Sequence, residues 1–200
     1  MKTSSFRPLM AACAALALPL ALSACVSVTT APAGAYKVGS AQVTLGHEWS
    51  DISAIMFQRP AKVRLLSMDG PLLNRLYVTD GLVPGEFMVK PMAKERPTPT
   101  YRAGMSPNEL VEFVSDSVSA LDYQRVETEN LRPAKFGSKD ALRFDLKAKS
   151  KEGLDISGTA LVAETAGKLY IVLYVAPTEH YYAAELPEVE TVIGSVKPAA

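Results

Sequence analysis

The scarcest side chains able to serve as nucleophile, base or metal ligand in this 200-residue chain are its two cysteines and two histidines, set among 21 acidic residues. Cys25 has the most informative surroundings. It follows Leu22-Ser23-Ala24 at the end of an apolar stretch that begins near Leu9, with Lys2 and Arg7 ahead of it. A charged start, an apolar middle and small residues before a cleavage point make a secretory signal. The stretch is too short to cross a bilayer, which takes roughly 20 apolar residues, and Pro19 interrupts it. A cysteine at the cleavage point is either a nucleophile for covalent modification or a plain thiol in a secreted protein cut after an A-x-A-like site.

The remaining candidates are weaker. His47 sits beside Glu48 and Trp49, and His180 is far away in sequence. Neither has a second ligand at a zinc spacing, and His47 reads more simply as part of an amphipathic surface cluster. Glu112, Asp116 and Asp122 lack the histidine or cysteine neighbours that a transition-metal site requires, so they read as a solvated helix face. The chain has no Gly-x-Ser-x-Gly elbow and no Gly-rich phosphate loop of the dinucleotide or Walker type. The expectation is a protein without a catalytic residue, cofactor or metal. A hydrolase using His47 or His180 is the least favoured alternative.

Leu22-Ser23-Ala24-Cys25 resembles the lipobox of bacterial lipoproteins. The resemblance implies a diacylglyceryl group on the Cys25 sulfur, cleavage on its amino side and acylation of the new amine, making Cys25 the first mature residue. Each buried methylene contributes about 0.8 kcal/mol; one chain binds reversibly, and two or more hold firmly. The partner so implied is a membrane, reached through the covalent anchor. Val26 stands where an aspartate would favour the inner membrane, so the resemblance implies the outer membrane, with the domain facing the periplasm.

Removing the leader takes Lys2 and Arg7 with it, so the basic residues fall two short of the 21 acidic ones. Polyanion binders carry a basic excess on one face, whereas the lysine-rich stretch Lys135–Lys151 alternates with Asp140 and Asp145. Nucleic acid is excluded as a partner. Cys13 leaves with the leader and Cys25 is the anchor, so no disulfide braces the fold, although an envelope compartment would permit one. A single domain spanning 36–200 is expected, because about 160 residues bury close to 70% of the unfolded chain's surface. Residues 25–35 are small and proline-containing, which predicts a flexible tether.

Strands are predicted from Val63 to Leu66 and Leu72 to Thr79 around Asp69-Gly70-Pro71, and a long loop between Met88 and Met105. Ser106-Pro107-Asn108-Glu109 is a capping box with proline at the first helical position, and Leu110, Val114, Val118 and Leu121 give that helix an apolar stripe. Period-two patterning follows: Tyr123 to Leu131, Ala141 to Ser150, Leu154 to Glu164 and Leu169 to Ala176. The last is apolar nearly throughout, which predicts a central strand covered on both faces. A second helix from about Tyr181 to Ile193, kinked or restarted at Pro187, supplies the other cover. The predicted class is α+β, a central antiparallel sheet packed by two or more helices.

Phe136-Gly137, Ala176-Pro177, Tyr181-Tyr182 and Ile193-Gly194-Ser195 resemble the PsbP-like fold shared with Mog-type proteins, over the last half of the chain. Members are mostly binding or assembly-accessory proteins, so the resemblance implies a non-catalytic domain for an unidentified envelope protein or ligand. It transfers no functional residue. A periplasmic carrier of a small molecule or lipid, its pocket between sheet and helices, is the alternative.

Overall fold

The computed structural model describes residues 28–199, so the leader, Cys13 and the Cys25 lipobox lie outside the described residues. The chain enters through β1 (Thr29–Ala31), β2 (Gly34–Val38), β3 (Ala41–Leu45) and β4 (Trp49–Asp51). A 3-10 turn over Ser53–Ile55 leads to β5 (Val63–Ser67) and β6 (Arg75–Thr79), and the long loop then feeds α1 (Pro107–Ser119). A meander of β7 (Gln124–Phe136), β8 (Lys139–Lys149), β9 (Asp155–Thr165) and β10 (Lys168–Pro177) precedes α2 (Ala183–Ser195) and the short β11 (Lys197–Pro198). One eight-stranded sheet has the order β1-β4-β5-β6-β10-β9-β8-β7, and a three-stranded sheet the order β11-β3-β2. This is the predicted α+β class.

The apolar run of β10 lies between β6 and β9. Successive strand residues point to opposite faces, so a strand covered twice has to be apolar at every position. Leu169, Ile171, Leu173 and Val175 pack with Phe113, Val114 and Val118 of α1. Tyr170, Val172, Tyr174 and Ala176 pack with Val189, Val192 and Ile193 of α2 and with the small sheet. That sheet is pinned at the β2–β3 turn, where Asp80 accepts from the Ser40 backbone and, at 2.9 Å, from its hydroxyl. Gly39 is required there: its φ is +54°, and a Cβ would run into the Asp80 carboxylate.

The capping box forms as predicted, with the Ser106 amide donating to the Glu109 carboxylate at 2.8 Å and the Glu109 amide to Ser106 Oγ at 3.4 Å. The expected tether over residues 25–35 is overturned in its described part, since β1 and β2 already occupy Thr29–Val38. Ala31 is wholly buried, paired opposite Trp49. Small residues look like linker by composition, but their strand state comes from a partner 18 positions on, which no local signal reports.

Three boundaries also move. β6 starts at Arg75 because the Asn74 side chain accepts from Ser67 Oγ at 2.8 Å and the Met68 amide at 2.9 Å, holding the preceding residues in a turn. β7 runs past Leu131 to Phe136, tolerating Pro133 because it is an edge strand, and two register shifts absorb its irregularity. The break near the C-terminal helix falls at His180, φ 69°, inside a π turn over Thr178–Tyr182, while α2 continues through Pro187. Proline there forfeits one bond, to the Ala183 carbonyl.

Candidate functional site

After Asp51 the chain leaves the sheet and overhangs its α1 face. The Leu65 amide donates to Ser53 Oγ at 2.9 Å, and Arg59 donates to the Ser53 and Val63 carbonyls at 2.7 and 2.8 Å. A second overhang comes from the long loop, whose Met88 and Val89 are buried. The Lys90 amide donates to the Gln58 carbonyl at 2.8 Å, which ties the two overhangs together. Gln58 Nε2 reaches the Ala120 carbonyl at the end of α1 at 3.5 Å. Between these parts lies a chamber of about 250 Å³, with Leu65 and Tyr77 of the sheet beneath it and Met88, Val89 and Leu121 around it. Phe57, 98% exposed, and Met92, 64% exposed, stand at its mouth.

The polar groups of the chamber fall into two kinds. Gln58 and Arg59 are spent on backbone carbonyls. Tyr77 and Arg75 lie against each other, and Arg75 spends only its Nε on a backbone carbonyl. Tyr77 is 2% exposed and its hydroxyl has no hydrogen-bond partner. Burial pushes that phenol up to about 12, against an opposing pull from Arg75, so it stays protonated and able to donate. Arg75 is half-buried, with Nε donating to the Pro71 carbonyl at 2.6 Å. Its guanidinium has no ion-pair partner among the described residues. Arg75 and Leu121 also border a neighbouring groove of about 470 Å³ that carries Asp122, Tyr123, Lys151 and Glu152. A fixed cation therefore stands between an apolar chamber and a larger groove of mixed character, which also has Leu154, Ile156 and Val175 in its walls, an arrangement suited to a molecule with an anionic head and an apolar tail.

The residues singled out in the sequence are placed differently. Cys25 lies outside the described residues. His47 has a 71% exposed side chain, 3.8 Å from Glu188. Glu188 is buried and accepts from the Gly46 amide at 2.7 Å, the His47 amide at 3.4 Å and Trp49 Nε1 at 3.3 Å. That carboxylate fastens α2 to the β3–β4 connection, which makes the His47-Glu48-Trp49 patch a clamp. His180 is exposed and meets Tyr181 edge-on, ring centroids 5.0 Å apart. No group of three or more His, Cys, Asp or Glu among the described residues is placed to hold a metal ion. The lysines of the basic stretch are largely neutralised: Lys135 by Asp140 at 2.5 Å, Lys147 by Glu129 at 2.8 Å, Lys149 by Asp155 at 2.6 Å and Lys151 by Asp122 at 3.3 Å. Sequence reasoning missed Arg75 and Tyr77. The one available signal was an arginine and a tyrosine two positions apart, hence on one face, in the strand Arg75–Thr79.

No protein family matches the chain, and no curated protein does. Solved structures do. The Ran-binding protein Mog1p of Saccharomyces cerevisiae superposes with a TM-score of 0.52 at 7% identity, over 86% of this chain and 95% of that one. Cyanobacterial PsbP (CyanoP) from Synechocystis sp. PCC 6803 gives a TM-score of 0.54 at 12% identity, over 95% of this chain and 99% of that one. Identities this low carry architecture and nothing finer, so what the chain shares with both proteins is the PsbP/Mog1-like α+β fold.

Proposed function

We propose that the chain is a non-catalytic binding domain of the bacterial cell envelope, fastened through a lipidated Cys25 to the outer membrane and facing the periplasm. The observation that carries this reading is the chamber: a preformed apolar cavity bordered by a cation without a counterion and a buried hydroxyl without a partner. Its lining has no carboxylate, histidine, serine or cysteine, so it offers no general base or ready nucleophile to a bound molecule. Support for close membrane apposition comes from chain length. Cys25 precedes Thr29, the first residue of β1, by four residues, a span of at most about 14 Å, so the anchor leaves the domain little freedom to stand off from the bilayer.

Two measurements test the reading. Radiolabelled palmitate enters the wild-type protein, and Cys25→Ser protein loses both the label and its place in the membrane pellet; Cys25→Ser protein that still sediments with membranes removes the anchor. Native mass spectrometry of protein drawn from its own envelope shows a bound small molecule; repeated recovery of empty protein removes the ligand. An assembly-accessory role towards an envelope protein is the second reading, favoured by the bare Phe57 ring at the chamber mouth. Co-purification that depends on Phe57, and is lost in Phe57→Ser, would select it.

A further inference from the structure

We infer that the chamber takes a free medium-chain carboxylate, its alkyl chain between Leu65, Met88, Val89 and Leu121 and its carboxylate on Arg75 and Tyr77. The inference rests on the binding-domain reading and supplies its ligand class.

Size comes first. A volume of about 250 Å³ lies just below the usual range for small-molecule pockets, about 300–1,000 Å³, which admits a single alkyl chain and not a whole phospholipid, while the Leu, Ile, Val and Met walls leave the hydroxyls of a sugar without partners. Charge comes next. Arg75 stands where the chamber meets the larger groove, and both cavities count it among their walls. A half-buried guanidinium is best completed by a planar carboxylate, which it binds through two parallel N–H donors. The third consideration is the orphaned Tyr77 hydroxyl. A hydrocarbon leaves it unpaired and a cation repels the neighbouring arginine, whereas a carboxylate oxygen accepts from both. Met88 and Met92 flank the route inward, and their unbranched thioethers adapt to chains of differing length.

The test irradiates the full-length protein, in the membranes that hold it, with a diazirine-bearing dodecanoate and maps the crosslinks by mass spectrometry. The expected label falls on residues 55–59 and 88–92. Excess dodecanoate lowers it at least tenfold, while dodecanol and dodecyltrimethylammonium leave it in place. Arg75→Gln lowers labelling at least tenfold, Arg75→Lys, which keeps the charge and loses the paired N–H donors, lowers it less than Arg75→Gln, and Met88→Trp, which fills the chamber, abolishes it. Emission from Trp49, buried on the opposite face of the sheet, reports that the Arg75 variants are folded, and far-UV circular dichroism reports it for Met88→Trp, whose added indole would mask that signal. Label scattered over the surface, or dodecanol competing as well as dodecanoate, overturns the inference, as does Arg75→Gln labelled like wild type. A photoactivatable phosphatidylglycerol that marks the same peptides and resists dodecanoate overturns it too, by identifying a bilayer lipid as the occupant. Should Arg75→Gln fail to fold, the dodecanol comparison and Met88→Trp decide. None of these outcomes touches the anchor, which Cys25→Ser sedimentation tests alone.

Discussion

The two faces of the large sheet are finished in opposite ways. On the α2 face the polar groups that reach the core are tied to one another. Glu188 takes three N–H donors, Arg143 grips Glu190 through two bonds of 2.5 Å, and Tyr36 donates to Asp51 at 3.0 Å. On the α1 side the ties fasten the overhanging loops to β5, to the end of α1 and to one another. The buried side-chain polar atoms without partners among the described residues are Tyr77 Oη, Tyr101 Oη and Thr98 Oγ1, and all belong to that core or to the long loop over it. Buried polar groups are ordinarily satisfied, so a cluster of exceptions calls for a cause. One face is a scaffold; the other leaves buried hydroxyls unspent, and one of them, Tyr77 Oη, lies beside the chamber.

The largest expected effect tests the tied face. Glu188→Ala strips three donors of a charged acceptor in a buried setting, and hydrogen bonds to charged groups are worth roughly 1.5–3 kcal/mol each before relaxation. Water can reach part of the gap, so a loss of about 3 kcal/mol is expected in urea unfolding followed by Trp49 emission. A loss under about 1 kcal/mol would shift that face's stability to apolar packing, at the scale of an ordinary surface substitution, and dissolve the contrast. The α1 face has its own local device, and Ser106→Ala should cost about 1 kcal/mol, the usual worth of a helix cap. Thermal unfolding checks it, with Ser106→Thr expected to recover most of the loss.

These two variants also mark what was legible in the sequence. The capping box is written in four consecutive residues, and the alternation of β8 put Leu142, Phe144, Leu146 and Ala148 on the face where they are found, packed against the α1 core. Such features depend on neighbours within one turn or one strand. β1 and the Glu188 clamp do not. Thr29–Ala31 becomes a strand only because Trp49–Asp51 lies beside it, and Glu188 reads as one more surface acid until folding brings it to residues 46–49, over 130 positions away. The chamber was illegible for the same reason. Its walls come from five separate segments, and Arg75 is informative only through the absence of an acid beside it, which is a property of space and not of spacing.

Acid titration gives a smaller effect, again on the tied face. Burial alone would raise the Asp145 carboxyl, but bonds from Arg132, Asn130 and Thr159 outweigh it and hold the group below the usual carboxylate range. A depressed folded pKa contributes stability that is complete above the unfolded value, near 3.9, and is lost as pH falls through the folded value. Asp145→Asn should therefore flatten the decline in stability below about pH 4 and leave its slope near neutrality unchanged. The group is only half-buried and its Arg132 partner is more exposed still, so screening keeps the difference small. An unaltered acid limb would take Asp145 out of the tied network.

The smallest expected change is the sharpest probe of the comparison. Tyr77→Phe removes one oxygen from a residue that is 2% exposed and keeps the ring. If the hydroxyl is unpartnered in the empty protein, its removal forfeits no bond and relieves the desolvation of an unsatisfied group. Stability should then stay within about 0.5 kcal/mol of wild type or rise slightly, in contrast to Glu188→Ala. The alkaline limb should change as well. Burial raises the Tyr77 phenol to about 12, so its neutral form contributes stability below the unfolded value, near 10, that is lost as pH climbs towards the folded one. Tyr77→Phe should remove that part of the decline. Added dodecanoate raises the unfolding midpoint by binding the folded state alone, and the rise should be smaller in Tyr77→Phe than in wild type. A destabilisation of 1 kcal/mol or more, the worth of an ordinary hydrogen bond, would mean that the hydroxyl is already satisfied. The α1 face would then be as fully tied as the α2 face, and the chamber would lose one of the two groups that argue for a ligand.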